Sequence, residues 1–96
     1  MENKRKLTTV LVSGNFNVLH PGHLRLLRFA KESGDYLIVA VESDNIAGSA
    51  AHVPEDLRVE GIKSNSWVNE TILLEEPLGD LIKRLQPDIV IKGKEH

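Results

Sequence analysis

Cysteine is absent from the 96 residues, and aromatic side chains are scarce, with one tryptophan, one tyrosine and two phenylalanines. Without cysteine there are no disulfides, thiolate metal centres or cysteine nucleophiles, which fits a reducing compartment. Any chemistry falls to histidine, carboxylates, lysine, arginine and the backbone. So few aromatics, with no long basic stripe beside them, argue against a nucleic-acid partner. No apolar run approaches the roughly 18 to 20 residues that a membrane span needs, and the opening MENKRK does not lead into the apolar core of a signal peptide. No membrane partner is expected, and a cytoplasmic location is the default.

What is present is ordinary for a globular chain: 41% hydrophobic and 27% charged residues, without repeats or low-complexity tracts. The length bounds the chain to one domain over residues 1–96, near the lower end of what buries a self-sufficient core. The net charge of -2 hides an asymmetry. Residues 1–31 hold six Lys/Arg and one Glu, whereas residues 32–96 hold six Lys/Arg and thirteen Asp/Glu. The basic third is either a tail plus a solvated helix face or the surround of an anion site.

Along the chain, LTTVLVSG (7–14) is a β-branched apolar run ended by glycine and reads as a buried strand. From Pro21 the spacing turns helical, with His23, Leu27 and Ala30 on one stripe and a stop at Ser33-Gly34. DYLIVAVES (35–43) is almost continuously apolar, the mark of a strand covered on both faces. A loop follows, then a short helix from about Pro54 to Lys63. SWVNETILLE (66–75) reads as a third strand and PLGDLIKRLQ (77–86) as a helix turning Leu78, Leu81, Ile82 and Leu85 inward. PDIVIKG (87–93) reads as a fourth strand. This β-α-β-α-β-α-β alternation predicts an α/β fold, an open parallel sheet with right-handed crossovers and helices on both faces. In such sheets ligands sit at the carboxyl ends of the strands, and an order 3-2-1-4 brings the segments after strands one and four to one crevice.

The turn after the first strand, GNFNVLHPGH (14–23), is the most chemical stretch of the sequence. A turn entering a helix offers free N–H groups at the positive end of the dipole, a ready anion site. Gly14 permits a close turn, Gly22 removes a side chain where a ligand would approach, and His20 and His23 can both reach a group held there. The pair also admits a metal-ligand reading, with two ligands in sight and no thiolate to complete the set. A structural reading, with both imidazoles capping the helix and packing on the core, is also open to the residues alone.

The segment GNFNVLHPGHLRLLRFAKESGDYLIVAVESD (14–44) resembles the cytidylyltransferase-type nucleotidyltransferase superfamily, whose pattern is Gly-(Thr/Cys)-Phe-Asp, His-x-Gly-His, a helix, then Gly-Asp and an apolar strand ending in Ser/Thr-Asp. The likeness continues through Arg58, WVNETI (67–72) and LIKRLQPDIVIKG (81–93). The resemblance implies that the α/β sheet is Rossmann-like, and it implies transfer of a nucleotidyl group from CTP or ATP, carried with Mg2+, to a phosphorylated sugar or alditol, with release of pyrophosphate. It implies His20 and His23 as catalytic residues and Gly14, Asn15, Phe16, Gly22, Lys92 and Gly93 around the nucleotide. Lys94, Glu95 and Arg58 are then expected at the second substrate, with no protein metal site and with a homodimer as the family's usual assembly. A phosphate monoester is already mostly ionised near pH 7, so alignment and charge stabilisation suffice and no strong base is needed.

Four departures from the family pattern stand out. The Asp after Phe is Asn17, and the Asp of the third strand is Asn69, changes that keep hydrogen bonding but lose charge. The loop over residues 45–56 carries no lysine, leaving His52 as its sole candidate cation. The resemblance also implies a fifth strand and a Ser/Thr-rich segment after His96, so the chain reads as a fragment of a longer enzyme or as a shortened relative. The second reading carries an alternative function, a nucleotide- or phosphate-binding regulatory module without turnover.

Overall fold

The computed structural model describes residues 7–17, 21–48 and 52–92. Its elements are β1 (Thr9–Gly14), α1 (Pro21–Glu32), β2 (Tyr36–Glu42), α2 (Asp44–Ala47), α3 (Glu55–Lys63), β3 (Glu70–Leu74), α4 (Leu78–Leu85) and β4 (Ile89–Lys92). The four strands form one parallel sheet in the order β3-β2-β1-β4, as expected from the alternating pattern. The short helix α2 was read as loop. Ser43 starts it, its hydroxyl accepting from the Ile46 N–H as an N-cap.

Burial follows strand position. β1 and β2, in the centre, are buried along nearly their whole length, whereas β3 and β4 at the edges are half-covered. Side-chain alternation then splits the core in two. On one face Val10, Val12, Leu37, Val39 and Val41 meet Leu27 and Ala30 of α1 and Ile62 of α3. On the other, Leu11, Ile38, Ala40 and Leu74 meet Leu81 of α4, flanked by Leu78, Ile82 and Leu85. The inward stripe expected for α4 is the one observed.

Two aspartates fix the register at the amino ends of the strands. Asp35, just before β2, accepts from the Thr8 N–H through its carboxylate at 2.8 Å and returns its own N–H to the Thr8 carbonyl at 2.7 Å. Asp88, just before β4, does the same with Thr9, at 2.8 and 2.9 Å. β1 is thus gripped on both sides by Gly-Asp and Pro-Asp dipeptides. These reciprocal pairs satisfy backbone groups that the sheet ladder leaves open at its start.

Gly34 serves this junction by its size. It was read as a helix stop, and α1 does end before it, but its φ is not in the left-handed region. A Cβ built on Gly34 would lie 2.7 Å from Val10 Cγ2 and 2.8 Å from the Thr8 carbonyl oxygen. Gly34→Ala is therefore expected to destabilise the fold by about 1–3 kcal/mol through overpacking against backbone. Thermal denaturation followed by circular dichroism measures this directly, and an unchanged midpoint would remove the steric account.

Candidate functional site

The carboxyl ends of β1 and β4 lie side by side, with Ser13 in register with Lys92 and Gly14 opposite Val41 of β2. The residues that follow β1 and the end of β4 therefore share one edge of the sheet at the point where the strand order reverses, where the order 3-2-1-4 predicts a ligand crevice. Lys92 sits there, exposed, as the last residue of β4. His20, Gly93, Lys94 and Glu95 lie outside the described residues. Gly14 closes β1 and Gly22 is in the first turn of α1.

α1 starts at Pro21, whose missing N–H has no partner to lose at a first helical position. Its first turn contains no acidic residue, whereas α2, α3 and α4 each carry Asp or Glu there. The positive end of this twelve-residue helix is left without a compensating carboxylate in its own first turn. His23, in that turn, is 7% exposed and lies with its ring edge-on to Phe16, centroids 5.5 Å apart at 62°. The helical stripe of His23, Leu27 and Ala30 is buried as read from spacing.

Phe16 makes the turn. It adopts φ of 51°, in the left-handed region that a phenylalanine enters at a cost of roughly 1–2 kcal/mol. Its side chain is 2% exposed and part of the α1-side core, so the ring of this residue, expected near the nucleotide, is turned inward. The Ser13 hydroxyl and the Asn15 side-chain oxygen are buried with no hydrogen-bond partner among the described residues. Both lie at the carboxyl end of β1, beside the crevice. Buried acceptors left open in this way are costly in a finished structure and mark a place where a ligand or further chain would supply a donor.

Arg58 corrects an expectation. The resemblance implies a place at the second substrate, whereas its side chain is fully buried and four of its five N–H donors are bonded to protein. Nε donates to the Val53 carbonyl at 2.7 Å, Nη1 to the carbonyls of Asn15 at 2.8 Å and Glu42 at 2.6 Å, and Nη2 to the Asp44 carboxylate at 2.6 Å. No surface of this guanidinium remains for a ligand. The signal for its partner was in the sequence, since Ser43-Asp44 closes the apolar second strand in the motif already quoted.

The two asparagines that replace family aspartates have structural work. Asn17 Oδ1 accepts from the His52 N–H at 2.8 Å and the Val53 N–H at 3.4 Å, tying the turn after β1 to the loop before α3. His52 is thereby brought to the crevice side of the molecule by its backbone, with its side chain exposed. Asn69 lies at the opposite, amino end of the sheet, where its Oδ1 accepts from the Leu37 N–H at 2.8 Å and from Lys31 Nζ at 2.6 Å. A neutral amide serves both tasks, because each needs only an acceptor oxygen. Trp67, outside β3, packs against the α1-side core.

Comparison with known proteins agrees with this geometry. A family model described as cytidylyltransferase-like matches residues 11–96. The chain belongs to the cytidylyltransferase-like family. Among curated relatives, the FAD synthase of Pyrococcus horikoshii is 37% identical over 99 residues, covering 97% of this chain and 66% of that protein. The FAD synthase of Methanosarcina mazei is 38% identical over 90 residues, covering 91% and 60%. The chain thus spans somewhat less than two thirds of the length of these relatives. Among solved structures, the lipopolysaccharide core biosynthesis protein of Thermoplasma volcanium GSS1 superposes with a TM-score of 0.81 at 30% identity, covering 88% of this chain and 73% of that one.

Among the described residues no group of three or more His, Asp or Glu side chains is arranged to hold a metal ion, and no helix is long and apolar enough to cross a membrane. A shallow acidic pocket at the carboxyl ends of β2 and β3 is lined by Ser43, Asp44, Asn45, Glu55 and Glu75. Glu55 already accepts from the Asp44 N–H at 2.8 Å, and Asp44 is bound to Arg58. Its carboxylates disfavour an anion there.

Proposed function

We propose that the chain carries the nucleotide site of a nucleotidyltransferase that joins a nucleoside triphosphate to a phosphate monoester and releases pyrophosphate. The observation that carries this reading is His23, buried in a first helical turn that holds no acidic residue, together with two buried side-chain oxygens at the end of β1, on Ser13 and Asn15, that have no hydrogen-bond partner among the described residues. An oxygen of the acceptor phosphate attacks the α-phosphorus, and the bond from that phosphorus to the bridging oxygen of the β-phosphate breaks as pyrophosphate leaves. The helix start and the imidazoles of His20 and His23 donate to the phosphate oxygens that gain charge, and Lys92 offers its cation from the neighbouring strand.

Mg2+ would travel with the triphosphate, ligated by phosphate oxygens and water, since it commonly binds substrate phosphates rather than an all-protein cage. The names of the relatives favour ATP over CTP: FAD contains an AMP unit joined through its phosphate to FMN, whose own phosphate sits on a ribityl chain. FMN is thus a phosphorylated alditol derivative and falls within the acceptor class read from the sequence. The lipopolysaccharide name attached to the structural relative supports a sugar phosphate instead, and a binding module without turnover is the reading to be separated by assay.

Calorimetric titration with ATP and with CTP, each with Mg2+, tests the proposal. Saturable binding of ATP and markedly weaker binding of CTP is the expected result. Binding of neither would remove the nucleotide reading for this chain. Flavin fluorescence then tests the acceptor, with FMN expected to bind the ATP-loaded protein.

A further inference from the structure

Arg58 makes four described hydrogen bonds, and they join α3 to the carboxyl ends of β1 and β2. A guanidinium anchoring only its own helix would need no more than the Val53 carbonyl, five residues before it. Nη1 instead bridges the carboxyl ends of β1 and β2 through the carbonyls of Asn15 and Glu42. Its one carboxylate partner, Asp44, is half-exposed, so three of the four described bonds run to backbone. A fully buried charge is tolerated only when its hydrogen bonds are satisfied, which fixes all these groups at once.

The Asn15 carbonyl belongs to the peptide that enters Phe16. Gripping that oxygen fixes the orientation of the peptide plane, and with it the left-handed backbone of Phe16. Strain of this kind persists only where the surroundings over-determine it. Here one side is held by Arg58, the other by the bonds of Asn17 to His52 and Val53, and the ring itself is sealed in the core. The Phe16 ring then meets His23 edge-on, so the peptide plane, the ring and the imidazole form one contact path.

We propose that Arg58 is a positioning residue: by holding the Asn15 carbonyl it keeps Phe16 left-handed and so sets the place of the His23 imidazole at the crevice. The inference rests on the nucleotide reading for its purpose but not for its geometry. A lysine at this position keeps a positive charge for Asp44 and loses the planar fork that serves several acceptors together. Relaxing the turn lowers the fraction of molecules with a competent site, and apparent affinity falls in the same proportion.

The test is Arg58→Lys in the full chain, read by NMR without ligand and then by titration with ATP and Mg2+. The expected result is retained dispersion of the sheet amides, displaced Phe16 amide and His23 imidazole resonances, and ATP binding about tenfold weaker. If the variant folds and the Phe16 and His23 signals stay where they are in the parent, the proposal is overturned whatever the affinity does. If the parent binds neither ATP nor CTP, the nucleotide reading fails alone, and the ligand-free spectra still judge the positioning role. Phe16→Leu provides the second arm, because it leaves the bonds of Arg58 in place and removes the aromatic edge from His23. It should displace the His23 signals too, and this arm decides if Arg58→Lys does not fold: unchanged His23 resonances in Phe16→Leu would break the path and overturn the inference.

Discussion

Replacing His23 with alanine is expected to lower nucleotidyl transfer by about 100- to 1,000-fold, the usual loss when one preorganised donor to developing charge is removed. The change removes the edge-on contact with Phe16 but little else of the described core. His23 lies in the first turn of a twelve-residue helix, where alanine has the higher helix propensity. Its removal leaves Leu27 and Ala30 of the same stripe packed on Val10, Val12 and the neighbouring core. The melting temperature should therefore fall by only a few degrees while turnover collapses. The assay is steady-state release of pyrophosphate by the full-length protein with ATP and FMN, beside thermal denaturation of the same samples. Near-normal turnover in a folded variant would remove the imidazole from the mechanism and favour the structural reading of the histidine pair.

The parts of the site legible in the sequence are those that local patterning controls. The polar turn between an apolar strand and an amphipathic helix located the crevice, because strand and helix periods are readable within a dozen residues. The parallel sheet followed from the strand-helix alternation and from the doubly covered character of DYLIVAVES, while the 3-2-1-4 order was an expectation that the structure shows. The roles of Arg58, Asn17 and Asn69 were not legible in the same way. Each depends on partners far along the chain: Asn15 for Arg58, His52 for Asn17, Leu37 and Lys31 for Asn69. An exposed arginine at a substrate and a buried arginine on three carbonyls look alike as letters. Their difference lies in the tertiary reach of one side chain.

The same contrast explains the aspartates. Asp35 and Asp88 were recognisable as parts of Gly-Asp and Pro-Asp motifs, yet the reason for them appears only when β1 is seen between them, with the N–H groups of Thr8 just before it and of Thr9 at its start each taken by a carboxylate. One end of the sheet is thus locked by Asp35, Asp88 and Asn69, and the other is shaped by Arg58 and Asn17. Structural polar groups occupy both ends, and the buried oxygens of Ser13 and Asn15, without partners among the described residues, lie at the carboxyl end of β1. That difference is what the proposed ligand site rests on.

Leu81→Ala carries the largest expected loss of stability. Leu81 is fully buried and is the α4 residue that seals the second core against Leu11, Ile38, Ala40 and Leu74. Truncating such a leucine costs about 2–5 kcal/mol, from lost transfer energy and the cavity left behind. For a domain of this size the whole stability is about 5–15 kcal/mol, so a large share is removed. A loss near 3 kcal/mol corresponds to a fall in melting temperature of roughly 12–24 °C. The damage should also be directional. α4 leads through the left-handed Gln86 into β4, which pairs with β1 alone and is half-covered. Loosening α4 therefore frees β4 before it frees β2, which lies between two paired strands. Hydrogen exchange should show protection falling more at Val90 and Ile91 than at Ile38 and Val39. Because Lys92 closes β4 beside Ser13, nucleotide affinity should weaken below the global melting temperature. Uniform loss of protection across all four strands, with affinity unchanged until global unfolding, would instead show that β4 is held by its pairing with β1 and owes nothing to the helix before it.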